Sequence, residues 1–363
     1  MGHEASDPSD FWKGLSLVGL TINHLILWPC ENLNFLLRIT YQGMGWVSFA
    51  SVFFAIAGIH WGRRIESQCE LSKFLHWNAR RALKLFSWVV FSSMLFSLCV
   101  QWRILTPAPW QSHIPWHTPE NIALALLGLR LPWLIDVIWL HGWLGIFSTL
   151  LWSVPALRRS GLCLLSTSGG IWLVSQAGLL NIENFIDGPL IKELAPSWHS
   201  WGGWQFLFIA SAVSQRTDMQ KYLQILQKKK STVLILASTL IFFFLKHMAP
   251  IDENESRRMT AEFSPLFAIN SMLIGLLFSK IKVSEVLLMA RIPCRLRPVK
   301  ILKTIGRHSL LFYSLQCIFI YLSGRVFSLS QNQRVESFLV LLFWIILLSA
   351  ICLIRHRTSK TGP

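Results

Sequence analysis

The stretch ALKLFSWVVFSSMLFSLCVQW, residues 82–102, decides the fold class. Its single charged residue, Lys84, lies near its beginning, and every other side chain is apolar or only weakly polar. A helix of about 20 apolar residues spans the roughly 30 Å hydrocarbon core of a bilayer. We therefore predict a transmembrane helix here.

Similar stretches recur along the whole chain. Of its 363 residues, 53% are hydrophobic and only 14% are charged, whereas soluble proteins contain about 25% charged residues. We predict an all-α fold, a polytopic membrane bundle of about ten transmembrane helices forming a single membrane domain over 1–363. The predicted spans are 11–29, 45–61, 82–102, 134–156, 161–180, 202–217, 231–247, 264–283, 305–323 and 336–354.

The distribution of the basic residues predicts how this bundle is oriented in the membrane. Counted loop by loop along the predicted spans, 25 of the 34 Lys and Arg residues fall on one side of the membrane and nine on the other. The positive-inside rule makes the richer side cytoplasmic. It therefore predicts a cytoplasmic N-terminal segment, 1–10, and a cytoplasmic tail, 355–363. Segment 119–133 is apolar but interrupted, and we expect an interfacial or re-entrant helix on the outer side.

Several classes of function are excluded by the same patterns. The net charge of +16 is dispersed in short clusters between apolar runs, so we expect no nucleic-acid partner. The seven cysteines lack paired spacing, and no phosphate loop, zinc-protease or serine-hydrolase motif occurs. We predict no metal and no resident cofactor, with the lipid bilayer as the surrounding partner.

Ionisable side chains within a span indicate candidate functional sites. His24 is predicted to lie in the outer half of the first helix. Its imidazole suits a general base, although a hydrogen bond between packed helices explains it equally well. Asp136 and His141 lie five residues apart, so they do not share a helix face. Asp136 could also be an ordinary charge in the first turn of its helix.

Polar and aromatic residues on the predicted outer side suit a sugar. His199 precedes the run Trp-Gly-Gly-Trp-Gln at residues 201–205. Tryptophan concentrates at membrane interfaces in any case, but tryptophan and amide side chains together also bind sugars. The predicted acceptor-side residues are His141, His199, Trp201, Trp204 and Gln205.

Basic residues on the predicted cytoplasmic side suit a phosphate-bearing donor. Arg80, Arg81 and Lys84 open the predicted third helix, and Arg307 with His308 opens the ninth. Topology alone explains any one of them, but the spacing brings two of the first three to one helix face. Arginine binds phosphate in a bidentate manner. A nucleotide or coenzyme A could bind there.

Six short motifs, with the two arginine-rich runs counted as one, resemble in their order those of one family. They are DFWKGLSLVGLTINH at 10–24, a helix ending FFAIAG at 53–58, the Gly-Arg-Arg and Arg-Arg-Ala runs at 62–64 and 80–82, the segment 134–141 with its aspartate, Trp204-Gln205 with Phe208, and IGRHSL at 305–310. Over roughly 10–325 the chain resembles the OpgC proteins of the acyltransferase-3 superfamily.

This resemblance implies a membrane O-acyltransferase that moves an acyl group, succinyl in the OpgC proteins, from cytoplasmic acyl-CoA to a hydroxyl of a periplasmic glucan or other envelope glycan. The co-substrate would be succinyl-CoA or acetyl-CoA, and the location the bacterial inner membrane. The family's candidate catalytic histidine maps onto His24, and its donor-associated basic residues onto Arg80 and Arg81. Lys84, Arg307 and His308 are added on the donor side.

The chain departs from the family at three acidic positions. Asn23, Ser48 and Ser51 stand where the family has acids, and an acid beside a histidine orients the imidazole. Either Asp136 or an acid of an outer loop substitutes, a neutral partner such as Asn23 suffices, or the activity is lost or changed. The last case corresponds to the alternative prediction, a non-catalytic or transporter-like protein with the acyltransferase fold.

Overall fold

The computed structural model describes residues 8–27, 49–67, 70–105, 107, 118–126, 131–132, 134–179, 196–226, 229–248, 265–280, 297–327, 342–344, 346–347 and 350. Within these ranges all regular secondary structure is helical, and no strand occurs. The all-α prediction is therefore confirmed for the part of the chain that the structure describes.

We number the helices in chain order. They are α1 (Pro8–Leu27), α2 (Phe49–Ser67), α3 (Leu71–Gln101), α4 (Pro119–Leu126), α5 (Ile135–Ser153), α6 (Pro155–Arg159), α7 (Gly161–Gln176), α8 (Pro196–Val213), α9 (Thr217–Leu226), α10 (Lys229–Met248), α11 (Pro265–Lys280), α12 (Arg297–Arg307) and α13 (Ser309–Phe327). Each of the first eight predicted spans overlaps one described helix over most of its length, and the ninth, 305–323, overlaps two. The tenth, 336–354, lies mostly outside the described residues. Helix α4 covers the first part of segment 119–133.

Two of the described helices, α3 and α5, are long and apolar enough to cross a membrane. Helix α13 contains a shorter apolar stretch, Ser309–Gly324. Helix α3 also exposes large apolar side chains such as Leu83 and Phe91, which suit a lipid environment better than water. The count of about ten spans and the cytoplasmic termini stay predictions.

Helix α3 begins earlier than its apolar pattern predicts. It runs for 31 residues from Leu71, not from residue 82, and an exposed ion pair of 3.1 Å joins Glu70 and Lys73 at its start. Hydropathy detects only the apolar part of a helix, whereas good helix formers continue it outside the bilayer. Arg80 and Arg81 therefore lie in about the third helical turn rather than at the helix start.

The ninth predicted span is divided into two helices. Arg307 ends α12, His308 lies at the break, and Ser309 begins α13, so these residues do not open a single helix as predicted. Helix α12 packs along α1 through two glycines. A Cβ atom on Gly306 would collide with the carbonyl oxygen of Asp10, and one on Gly14 with that of Leu302. Only glycine permits this close approach.

Aromatic side chains join α2, α3, α5 and α8 into one core. The Trp61 ring meets Phe74 edge-on with 5.4 Å between ring centroids, and Phe208 at 5.9 Å. Phe74 in turn contacts Trp152 at 4.9 Å. Trp61, Phe74 and Phe208 are fully buried. This core fixes α2 and α3 beside each other and so shapes the cavity between them.

Candidate functional site

A cavity of about 340 Å³ lies between α1, α2, α3, α5 and α13. Five separate stretches of the chain form its wall, so it exists only in the folded bundle. Its lining residues are Lys13, Phe53, Ala57, His60, Trp77, Arg81, Lys84, Leu85, Val137, Ile138, His141, Ser309, Leu310 and Tyr313.

Three cationic side chains converge on this cavity. Lys13 comes from α1, and Arg81 and Lys84 lie three residues apart on α3. The Arg81 guanidinium lies over the Trp77 ring, 5.8 Å from its centroid, and Arg64 lies 5.6 Å from the same centroid. Stacking on an aromatic ring orients a guanidinium while leaving its N–H groups able to bind an anion.

The neighbouring arginines Arg80 and Arg81 have different environments. Arg80 is exposed and lines an open groove outside the cavity, together with Leu83, Ser87 and Phe91. Lys84 borders both the groove and the cavity. Successive helix residues point about 100° apart, and here Arg81 lines the cavity whereas Arg80 does not.

Arg307 lies in an ion-pair network at the junction of α1 and α12. Its Nε donates to Asp10 at 3.2 Å, and Nζ of Lys13 donates to the other carboxylate oxygen of Asp10, also at 3.2 Å. Asp10 therefore pairs with Lys13, which lines the cavity, and with Arg307, which does not. His308 is next to Ser309, which lines the cavity, but His308 itself does not.

His141 lies in the cavity wall and has a defined tautomer. Its Nδ1 donates to the Val137 carbonyl at 2.9 Å, and its ring stacks on Phe54 with 4.1 Å between centroids. Its Nε2 is buried and has no hydrogen-bond partner among the described residues. The structure thus brings His141 together with Arg81 and Lys84, although the sequence grouped it with the acceptor.

His24 belongs to a buried polar cluster between α1 and α13. The side-chain amide of Gln316 lies 2.8 Å from Nδ1 of His24 and 2.8 Å from Oγ1 of Thr21. Gln316 is completely buried. Asn23 is also buried, and its Oδ1 has no hydrogen-bond partner in the described part of the chain. Gln316 was not among the predicted site residues, although a polar side chain inside an apolar span is itself an indication of function.

Asp136 lies at the beginning of α5, where the backbone is unusual. Leu134 precedes it with φ of 76°, a conformation that is rare for a leucine. The Asp136 carboxylate accepts hydrogen bonds from backbone N–H groups at this helix start, including that of Val137. It is close enough to Tyr313 and Cys317 of α13 to act on them electrostatically. His141 instead packs against α2, so the two side chains use different faces, as their spacing predicts.

Helix α13 links the cavity with both candidate catalytic residues. Tyr313 lines the cavity and is close enough to Asp136 to interact with it electrostatically. Gln316, one helical turn further along, contacts His24. A turn advances a helix by about 5 Å, so the cavity wall reaches to within one turn of the residue that touches His24.

Three of the predicted acceptor-side residues have packing or surface roles. Both ends of the Gln205 amide are engaged by Ser168, at 2.8 Å each, between α7 and α8. Trp204 packs on Phe54, with 4.7 Å between ring centroids. Trp201 lines an open apolar groove with Phe147 and Ile171. The side chain of His199 lies outside what the structure describes, and an acceptor role for these residues stays a prediction.

Comparison with known proteins decides the family. A family model described as OpgC protein matches residues 9–360, nearly the whole chain. This chain belongs to the OpgC family. The resemblance noted in its motifs is thereby confirmed. Membership of the OpgC family indicates a membrane protein with an acyltransferase-like role in glucan modification. No curated protein and no solved structure matches the chain.

Proposed function

We propose that this OpgC-family chain is an O-acyltransferase of the bacterial inner membrane, which transfers an acyl group from cytoplasmic acyl-CoA to a hydroxyl of a periplasmic glucan or other envelope glycan. The observation that carries the proposal is the cavity. It gathers Lys13, Arg81 and Lys84 at one place and reaches along α13 to within one turn of Gln316, the partner of His24.

The donor binds with its phosphates at these three cations. Phosphate pairs with arginine through charge-assisted hydrogen bonds, the stronger class of hydrogen bond in proteins. A volume of about 340 Å³ is at the small end of ligand pockets. It therefore suits the acyl-pantetheine arm, while the nucleotide remains at the cationic mouth. The basic majority on the predicted cytoplasmic side supports entry of the donor from the cytoplasm.

The acceptor hydroxyl is activated by His24. The imidazole removes the hydroxyl proton as the oxygen attacks the thioester carbonyl. The new C–O bond forms, the C–S bond breaks, and the departing coenzyme A thiolate takes the proton back from the imidazolium. A variant of this route places the acyl group transiently on His24 before the hydroxyl attacks. In that variant the imidazole displaces the coenzyme A thiolate, and the later attack of the hydroxyl breaks the C–N bond and passes the hydroxyl proton to the thiolate. The two routes share His24 as the reacting residue and the same donor site.

Asp136 supplies the acid that this chain lacks at residue 23, where it has Asn23. It lies beside Tyr313 and Cys317 on the helix that also carries Gln316. In this proposal its negative charge stabilises the positive charge that develops on the imidazole of His24. This role is consistent with an aspartate retained within an otherwise apolar helix start.

The test is to replace His24 by alanine and measure acylated envelope glycans by mass spectrometry in cells with matched protein abundance. We expect the acylated glycan to disappear. His76, an exposed histidine on α3, provides the matched control, and His76→Ala should leave acylation unchanged. Unchanged acylation in His24→Ala would remove this histidine from the mechanism.

The alternative is a transporter-like or non-catalytic member of the family. It is favoured by Asn23, Ser48 and Ser51, which stand at the three positions where the family has acids. It is distinguished by binding of acyl-CoA to the purified protein. A glycan transporter has no use for this donor, whereas an acyltransferase must bind it. Absence of saturable binding to protein in lipid nanodiscs would favour the alternative.

A further inference from the structure

The outward face of α3 carries a groove that lies outside the proposed donor cavity. In the most apolar 18-residue stretch of this helix only 22% of the residues are buried, against 61% in α5. Helix α3 therefore lies at the edge of the described bundle, and its outward face meets lipid in a membrane. The groove has a volume of about 560 Å³, and its lining residues are Arg80, Leu83, Lys84, Ser87, Trp88 and Phe91.

The six lining residues form one continuous stripe along the helix. Each lies three or four residues from another, the spacing that places side chains on one helix face. Arg80 and Lys84 are exposed at one end of the stripe. At the other end the rings of Trp88 and Phe91 meet edge-on, with 5.8 Å between their centroids. The groove is thus cationic at one end and apolar at the other.

The change from cationic to apolar residues falls at the predicted membrane boundary. The apolar run of α3 begins at residue 82, on the predicted cytoplasmic side. Arg80 and Lys84 therefore lie within about one turn of this boundary, at the level of the lipid headgroups. Phe91 lies about 10 Å deeper than Lys84, since a helix rises 1.5 Å per residue. This depth is within the roughly 15 Å of hydrocarbon that one leaflet provides.

The charge at the cationic end is not neutralised by the protein. Among the described residues neither Arg80 nor Lys84 forms an ion pair, whereas Lys73 on the same helix pairs with Glu70. Two such cations at headgroup level attract an anionic lipid. Its phosphate matches the cationic end of the groove, and its acyl chain matches the apolar end. A zwitterionic phospholipid matches less well, because it carries a cationic group beside its phosphate.

We propose that this groove binds an anionic phospholipid of the cytoplasmic leaflet, with its phosphate between Arg80 and Lys84 and one acyl chain along the apolar end. Lys84 also borders the donor cavity, so a headgroup bound here lies next to the proposed donor site. The lipid site does not depend on the proposed function, because it requires only the groove and a membrane around it.

The test is native mass spectrometry of the full-length protein in detergent, titrated with phosphatidylglycerol or with phosphatidylcholine of the same acyl chains. We expect the wild type to bind phosphatidylglycerol at least about fivefold more tightly, and Arg80→Gln to lose about that factor, the value of one cation near a lipid surface. Arg159→Gln changes an exposed arginine of α6 outside the groove. It is the matched control and should bind as the wild type does. Equal affinity of the wild type for the two lipids, or unchanged binding in Arg80→Gln, would overturn the proposal.

A second variant tests the shape of the groove while keeping both cations. Ser87 is exposed in the middle of the stripe, so Ser87→Phe fills the groove without disturbing the core. It should lose bound phosphatidylglycerol at a concentration that half-saturates the wild type, and unchanged binding would place the lipid elsewhere.

Two further readings of the same spectra exclude other occupants. Glycerol phosphate carries the phosphate without acyl chains and should not displace the lipid, so displacement would assign the groove to a soluble phosphate compound. The spectra also report the oligomeric state. A wild-type dimer that becomes monomeric in Ser87→Phe would assign the groove to a second copy of the chain. Either result would overturn the proposal.

Discussion

The hydroxyl of Tyr313 on α13 donates a hydrogen bond of 2.9 Å to the carbonyl oxygen of Leu134, immediately before α5. Both residues are buried, and they are 179 positions apart in the chain. The bond holds the unusual backbone of Leu134, whose φ is 76°, next to the cavity. It thereby fixes the start of α5, which presents Asp136.

Replacing Tyr313 by phenylalanine should destabilise the protein. The change removes this hydrogen bond from the buried Leu134 carbonyl, which keeps the backbone N–H of Val137 at 3.4 Å. We therefore expect a loss of about 0.5–1.5 kcal/mol of unfolding free energy. Thermal unfolding in detergent measures the loss. Tyr222 is half exposed on α9, and Tyr222→Phe should be silent. An equal stability of the two variants would show that the bond to Leu134 contributes nothing.

The two adjacent arginines on α3 should respond differently to the same substitution. Arg81→Gln removes a cation from the cavity, so we expect the affinity for acyl-CoA to fall about tenfold or more, the value of a charge-assisted hydrogen bond. Arg80→Gln changes a residue outside the cavity and should alter the affinity less than about twofold. Calorimetric titration of protein in nanodiscs measures both. A larger loss in Arg80→Gln would place the donor elsewhere.

The packing of α1 on α12 predicts contrasting effects of two Gly→Ala substitutions. A Cβ on Gly306 would collide with the Asp10 carbonyl oxygen, whereas one on Gly170 meets nothing within 4 Å. Gly306→Ala should therefore lower the free energy of unfolding by about 1–3 kcal/mol or prevent folding. Gly170→Ala should be neutral or stabilise α7 by up to about 1 kcal/mol. Thermal unfolding and the yield of folded protein check both, and a tolerated Gly306→Ala would contradict the close approach of the helices.

An ion-pair cluster between α7 and α9 predicts a dependence of stability on pH. Partial burial of Asp218 acts to raise its pKa, but hydrogen bonds from the Gly161 N–H at 2.7 Å and from Nε of Arg216 at 2.9 Å outweigh it and lower the pKa. A carboxyl with a lowered folded pKa stabilises the protein above its unfolded pKa, about 3.9 for aspartate. This contribution is lost as the pH falls through the folded pKa.

We therefore expect the melting temperature of the wild type to fall with decreasing pH in that acidic range more steeply than that of Asp218→Asn, which has no such carboxyl. The measurement is a pH series of thermal unfolding curves on both proteins. Parallel curves for the two proteins would show that Asp218 does not contribute in this way.

The sequence predicted the helices well because their signal is local. An apolar run near the bilayer thickness, as in 82–102, indicates a helix whatever its neighbours are. The apolar run placed the start of α3 at residue 82, whereas the helix begins at Leu71. The prediction was wrong because hydropathy does not detect the polar helical turns that precede Arg80. It also treated 305–323 as one helix, although the chain breaks at His308.

The candidate site was predictable only in part. Spacing correctly suggested that two of Arg80, Arg81 and Lys84 share a face, and the structure finds Arg81 and Lys84 together in the cavity. It could not decide which face points inward, because that depends on which helices pack against α3. Gln205 attracted attention beside its tryptophans, yet its amide is engaged by Ser168.

The sequence by itself determined an all-helical, strongly apolar chain of the OpgC family, with His24 and Asp136 in apolar helices. These properties follow from the local demand that backbone hydrogen bonds be satisfied within each helix. Only the tertiary structure decided that Gln316 meets His24 across 292 positions. Contacts of this kind depend on how whole helix faces pack, and no local pattern records which partner a face will take.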